Sequence, residues 1–149
     1  MAITQTLCNS FKNEILNGTH DVVNDTLKMA LIIPSMAGTY DADTTNYSDV
    51  TGNSDEVSAS GTNYTTGGAT LANVSVTTDN TNDVAYVDFD DVVFSNVDLD
   101  ARGAIIYNSS QSNKAIALLD FGETKTATDG DFTVVIPAAA YNTAIIRIA

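Results

Sequence analysis

Tryptophan is missing from this chain, and cysteine and histidine occur once each, as Cys8 and His20. A single cysteine allows no intrachain disulfide, so the fold does not depend on an oxidising compartment. One cysteine and one histidine also do not fill a four-ligand transition-metal shell. A Ser-His-Asp or Cys-His catalytic group would have to use His20, and no Gly-x-Ser-x-Gly elbow accompanies it. Lone cysteines are usually small buried hydrophobes, which is the expectation for Cys8. Without tryptophan, and with tyrosine sparse in the strand-like segments, a paired-carboxylate glycosidase would lack a sugar-stacking platform. No apolar run approaches the ~20 residues of a membrane span. Met1–Leu7 has neither the basic start nor the apolar core of a signal peptide. The expectation is a chain made in the cytoplasm.

Positive charge is also scarce. Six Lys and Arg face 19 Asp and Glu, for a net charge of −13. The six are Lys12, Lys28, Arg102, Lys114, Lys125 and Arg147, scattered with no basic patch. Such a field repels nucleic acid and anionic lipid, so neither is expected as a partner. Arg102 and Lys114 are expected to pair with nearby acids such as Asp98 or Asp100.

At 149 residues the chain reads as a single domain. A chain of this size buries about two-thirds of its unfolded surface. Its polarity comes largely from Thr, Asn, Ser and Asp, which favour strands, turns and caps over helix interiors.

Ile3, Leu7, Phe11 and Ile15 recur every four residues, with Leu16 widening the stripe. This predicts an amphipathic helix over the first 18 residues, closed by Gly18 in the left-handed region. Strands are predicted at Thr26–Ile33, Leu71–Thr77, Val84–Phe89, Val92–Phe94, Ala104–Tyr107, Ala115–Phe121, Phe132–Ile136 and Thr143–Ile148. A bulge or tight corner is expected at Asp90-Asp91, and a loop over Gly122–Asp131. About eight strands at short spacing predict an all-β fold, a β-sandwich or jelly-roll-like domain with one N-terminal helix.

Residues 35–70 differ from the rest. They are rich in small polar residues, and Tyr40, Tyr47 and Tyr64 are spaced through them. So long a polar excursion is unusual in a compact domain unless it is functional. One short strand or helix is expected within it, near Ser54–Val57. The tyrosines are expected chiefly to pin the excursion to the body. Tyrosine among Ser, Gly and Asn is also typical of protein-contact surfaces. Tyr40, Tyr47 and Tyr64, with Leu7 and Phe11 from the N-terminal segment, are therefore the candidate partner contacts. The clustered acids Asp88, Asp90 and Asp91, and the pair Asp129 and Asp131, form no complete calcium loop. No catalytic residue, metal or cofactor is expected.

Several segments carry a family resemblance: TQTLCNSFKNEILNGTHD with NDTLKMAL, TNYTTGGATL, ARGAIIYNSSQSNKAIALLDFG, and the ending TAIIRIA. Together they resemble a family of small tailed-bacteriophage virion structural proteins. The resemblance spans nearly the whole chain and is weakest over 38–53 and 80–100. Its motifs are structural rather than catalytic. It implies a non-enzymatic virion component assembled in the host cytoplasm, foremost a capsid decoration or cement protein contacting the major capsid protein or other virion proteins. It also implies a homo-oligomer, with a trimer favoured. A tail, connector or fibre component, or a receptor- or carbohydrate-binding module of the virion, would be built from similar parts.

Overall fold

A computed structural model describes residues Met1–Ala149. The chain is an all-β domain with a short N-terminal helix. The strands are β1 (Ala2–Ile3), β2 (Thr6–Leu7), β3 (Leu27–Ile32), β4 (Thr39–Tyr40), β5 (Ala69–Thr70), β6 (Ser75–Asp79), β7 (Val84–Asp88), β8 (Val92–Asn108), β9 (Lys114–Val134) and β10 (Ile146–Ile148). The helices are α1 (Asn9–Leu16) and α2 (Ser48–Gly52). A five-stranded sheet runs β2-β9-β8-β3-β5, a three-stranded sheet runs β10-β7-β6, and β1 pairs with β4. Both larger sheets feed one hydrophobic core. Met29, Leu31, Ile105 and Leu118 come from the first sheet, and Val87 and Ile146 from the second.

The dominant element is the β8–β9 hairpin. It is paired from Asn108 and Lys114 at its closed end to Val92 and Val134 at its open end. Near the closed end it is buried almost continuously, because β3 and β2 flank it there. Toward the open end it becomes a two-stranded ribbon with alternating burial. The segment expected as a loop, Gly122–Asp131, is part of β9. Its side chains are polar and mostly exposed, with Ala127 the one buried residue, so hydrophobic alternation does not mark it. Register shifts between Phe94 and Val97, Val97 and Leu99, and Ala101 and Gly103 bend the hairpin. Asn96 and Asp129 take positive φ at these irregularities, a conformation their short polar side chains tolerate. The corner at Asp90-Asp91 is where the chain leaves β7 in one sheet and enters β8 in the other.

The N-terminal helix is shorter than its apolar spacing predicts. Ile3 and Leu7 are strand residues instead, in β1 and β2. Cys8 stays extended because its N–H donates to the Ile116 carbonyl, so β2 runs directly into α1. Gly18 has φ +78°, and Thr19 N–H caps the Glu14 carbonyl, a left-handed helix ending as expected. Within the excursion the helix falls at Ser48–Gly52 rather than near Ser54–Val57, where Glu56 makes only an isolated bridge to Ile32. Gly68 also has φ +78°, and a Cβ there would lie 1.8 Å from the Met29 carbonyl oxygen. This close approach lets the end of the excursion lie against β3 and start β5.

Candidate functional site

The excursion is organised by two neighbouring carboxylates. Asp55 is buried and accepts hydrogen bonds from the Tyr40 hydroxyl at 2.5 Å and from the Ala37 and Gly38 N–H groups at 2.8 Å each. Burial alone would raise its pKa, but these three donors together hold the carboxyl below its ordinary value. Burial, and then the bond to Asp55, push the Tyr40 hydroxyl up.

Glu56 is the second hub. It accepts from the Tyr47 hydroxyl at 2.5 Å, the Tyr64 hydroxyl at 2.9 Å and Gly67 N–H at 2.6 Å. Tyr64 in turn accepts from Leu31 N–H of β3 at 3.0 Å. Tyr47 stacks on Tyr107 of β8, with ring centres 4.4 Å apart and planes 8° from parallel. Tyr107 donates to the Gly67 carbonyl at 2.7 Å, and its pKa is pushed up to about 12, first by burial and then by Glu56. Burial likewise raises Tyr47 and Tyr64.

The three excursion tyrosines therefore turn inward. Tyr40 and Tyr64 are 1% and 3% exposed, and Tyr47 is half-buried. They pin the excursion to the sheet. A buried ring offers no surface to a partner, so any contact made by this region comes from what the pins hold in place. Phe11 is buried too, at 2%, and Leu7 is half-buried. The five candidate contacts are not brought together: the tyrosines cluster at the excursion, and Leu7 and Phe11 lie at α1.

His20 joins a separate structural network. The Asn108 carbonyl oxygen is occupied by Ser110 N–H, so its amide nitrogen faces His20 Nδ1 at 3.0 Å and Asp25 at 2.7 Å. Nδ1 is therefore an acceptor, and His20 Nε2 donates to Glu14 at 2.6 Å. The other Glu14 oxygen meets Lys114 at 3.3 Å. The hydrogen bond from Asn108 holds Asp25 below its ordinary pKa. This network ties α1 to the closed end of the hairpin. Cys8 is fully buried, and its thiol is pushed up to about 12 by burial and by the charge of Asp49. No hydrogen bond joins it to His20. Arg102 pairs with Asp120 at 3.0 Å and Lys114 with Glu14, rather than either with Asp98 or Asp100. No group of three His, Cys, Asp or Glu side chains converges as a metal site.

The surface feature missed in the sequence is an apolar cleft between α1 and the β10-β7-β6 sheet. Two adjoining hollows of about 210 and 260 Å³ form it, floored by Phe11, Ile15 and Ile146. Leu16, Ile148 and Val76 stand at its mouth, 87%, 57% and 50% exposed. Lys12 and Arg147 rim it. Leu16 lies on the helical stripe, and Ile146 and Ile148 alternate in the last strand. Those signals mark the apolar faces but not that they face each other across an opening.

Comparison of the chain with family models, with curated proteins and with solved structures returned no match.

Proposed function

We propose that this is a non-enzymatic virion structural protein of a tailed bacteriophage, acting as a capsid decoration (cement) protein on the outer head surface. In this role it stabilises contacts between major capsid subunits. The resemblance of segments such as ARGAIIYNSSQSNKAIALLDFG supports the phage assignment. One structural observation supports binding rather than chemistry: His20, Asp55 and Glu56 are engaged in holding the fold and Cys8 is buried, while the α1–β10 cleft is an open apolar surface. Contiguous exposed apolar surface marks interaction sites. A net charge of −13 suits an exterior surface better than one facing packaged DNA.

A cryo-EM map of the particle tests this reading directly. Density for the protein over the junctions of the shell, in a copy number that scales with the capsid lattice, is the expected result. Density confined to the tail, or particles that keep their heat resistance but lose adsorption when the protein is removed, would overturn it.

A further inference from the structure

Beside the cleft, a second exposed apolar feature lies at the open end of the β8–β9 hairpin. Val93 and Val135 are 47% and 72% exposed. Val93 sits opposite Thr133, and Val135 follows two residues later, so strand alternation puts the two valines on one outer face. Asp131 shares that face by the same alternation, and Asp91 lies beside it at the corner just before β8; both are exposed. They accept backbone N–H groups, from Ile136 and Asn96, and neither has a cationic partner.

The cleft has the opposite character. Of six Lys and Arg in the chain, three are paired with acids: Arg102, Lys114 and Lys125. Of the three without a carboxylate, two rim the cleft. Lys12 reaches only the Asn9 side chain, and Arg147 only the Asn142 and Ala144 carbonyls. The outer edge of β10 is also open, since β10 pairs only with β7.

We propose that the chain self-associates head to tail. The α1–β10 cleft of one copy receives the open end of the β8–β9 hairpin of the next. Val93 and Val135 enter the mouth formed by Leu16, Ile148 and Val76, and Asp91 and Asp131 meet Lys12 and Arg147. A two-fold contact of cleft on cleft would set these cations against their own copies, so charge favours the heterologous contact. Such a contact closes into a ring where the rotation permits. The surface follows from the chemistry of the two patches and is independent of what the ring is mounted on.

Sedimentation velocity over a concentration series tests it. The wild-type chain is expected to form one discrete oligomer. Leu16→Asp with Ile148→Asp, and separately Val93→Asp with Val135→Asp, should each give a monomer, with association weakened at least tenfold. Because these side chains are exposed, each variant should keep the wild-type circular dichroism spectrum and unfold cooperatively in urea, which shows that it is folded, with a midpoint lowered only by the lost stabilisation from association. Mixing the two variants pairs one intact cleft with one intact hairpin end, so a heterodimer and nothing larger should form. Lys12→Glu should weaken association and reduce its salt dependence. A wild-type chain that remains monomeric, an oligomer that survives either double substitution, or a mixture that stays monomeric would overturn the proposal. If the monomer instead binds assembled shells through Leu16, the cleft belongs to a capsid subunit. Self-association is then wrong while the decoration reading stands.

Discussion

The Tyr64 hydroxyl stands between Glu56 and Leu31, donating to the carboxylate at 2.9 Å and accepting the backbone N–H of β3 at 3.0 Å. One oxygen thereby joins the polar excursion to the most buried strand of the sheet. Tyr64→Phe leaves a buried N–H without its partner, and ~1–3 kcal/mol of stability should be lost. Urea unfolding checks this, with Tyr141→Phe as an exposed control that should change little.

Asp55 makes stability depend on acid. Its folded pKa lies below the ordinary 3.8. Its contribution is therefore present above the unfolded value and is lost as pH falls through the folded one. Asp55→Asn should lower the urea midpoint at neutral pH, and the difference from wild type should shrink as the solution is acidified below the ordinary carboxyl range. A difference that stays constant with pH would contradict this account.

Asn108 is fully buried and serves His20, Asp25 and Ser110 at once. Asn108→Ala strands several polar groups together and should cost about 2–4 kcal/mol. Nitrogen NMR of the wild-type imidazole should show Nδ1 accepting from the Asn108 amide and Nε2 donating to Glu14.

Cys8 should be inert in the folded protein. A buried thiol pushed up to about 12 holds almost no thiolate at mildly alkaline pH. A thiol-reactive dye should label it only on unfolding, with a denaturant dependence that follows the loss of circular dichroism.

Gly68 and Gly52 make a matched pair. A side chain at Gly68 meets the Met29 carbonyl with the backbone at positive φ, whereas one at Gly52 meets nothing within 4 Å. Gly68→Ala should cost about 2–3 kcal/mol or more, and Gly52→Ala should be near neutral or slightly stabilising. Thermal melts distinguish the two.

The all-β class, the core strand Leu27–Ile32, the buried half of the hairpin and the left-handed ending at Gly18 were legible in the sequence. Each rests on local physics: period-2 alternation, a continuous apolar run, or one residue's backbone freedom. The polar half of β9 was not legible, because the register and bends of a solvent-flanked ribbon are set by its partner strand and not by its own hydrophobicity. The inward turn of Tyr40, Tyr47 and Tyr64 was expected as pinning, but the carboxylates that receive them were not singled out. Glu56 and Asp55 lie next to each other in sequence and look like ordinary loop acids until β3 and β8 close over them.

By itself the sequence determined composition, charge and the faces of its strongest elements, since these depend on residues near one another along the chain. Tertiary structure alone decided which faces were covered. Phe11 and Ile146 both end up buried in the floor between α1 and β10, while Leu16 and Ile148 are left at an open mouth beside two unpaired cations. That outcome depends on how far α1 stands from the three-stranded sheet. The distance is set by packing across the whole core, and no local pattern encodes it.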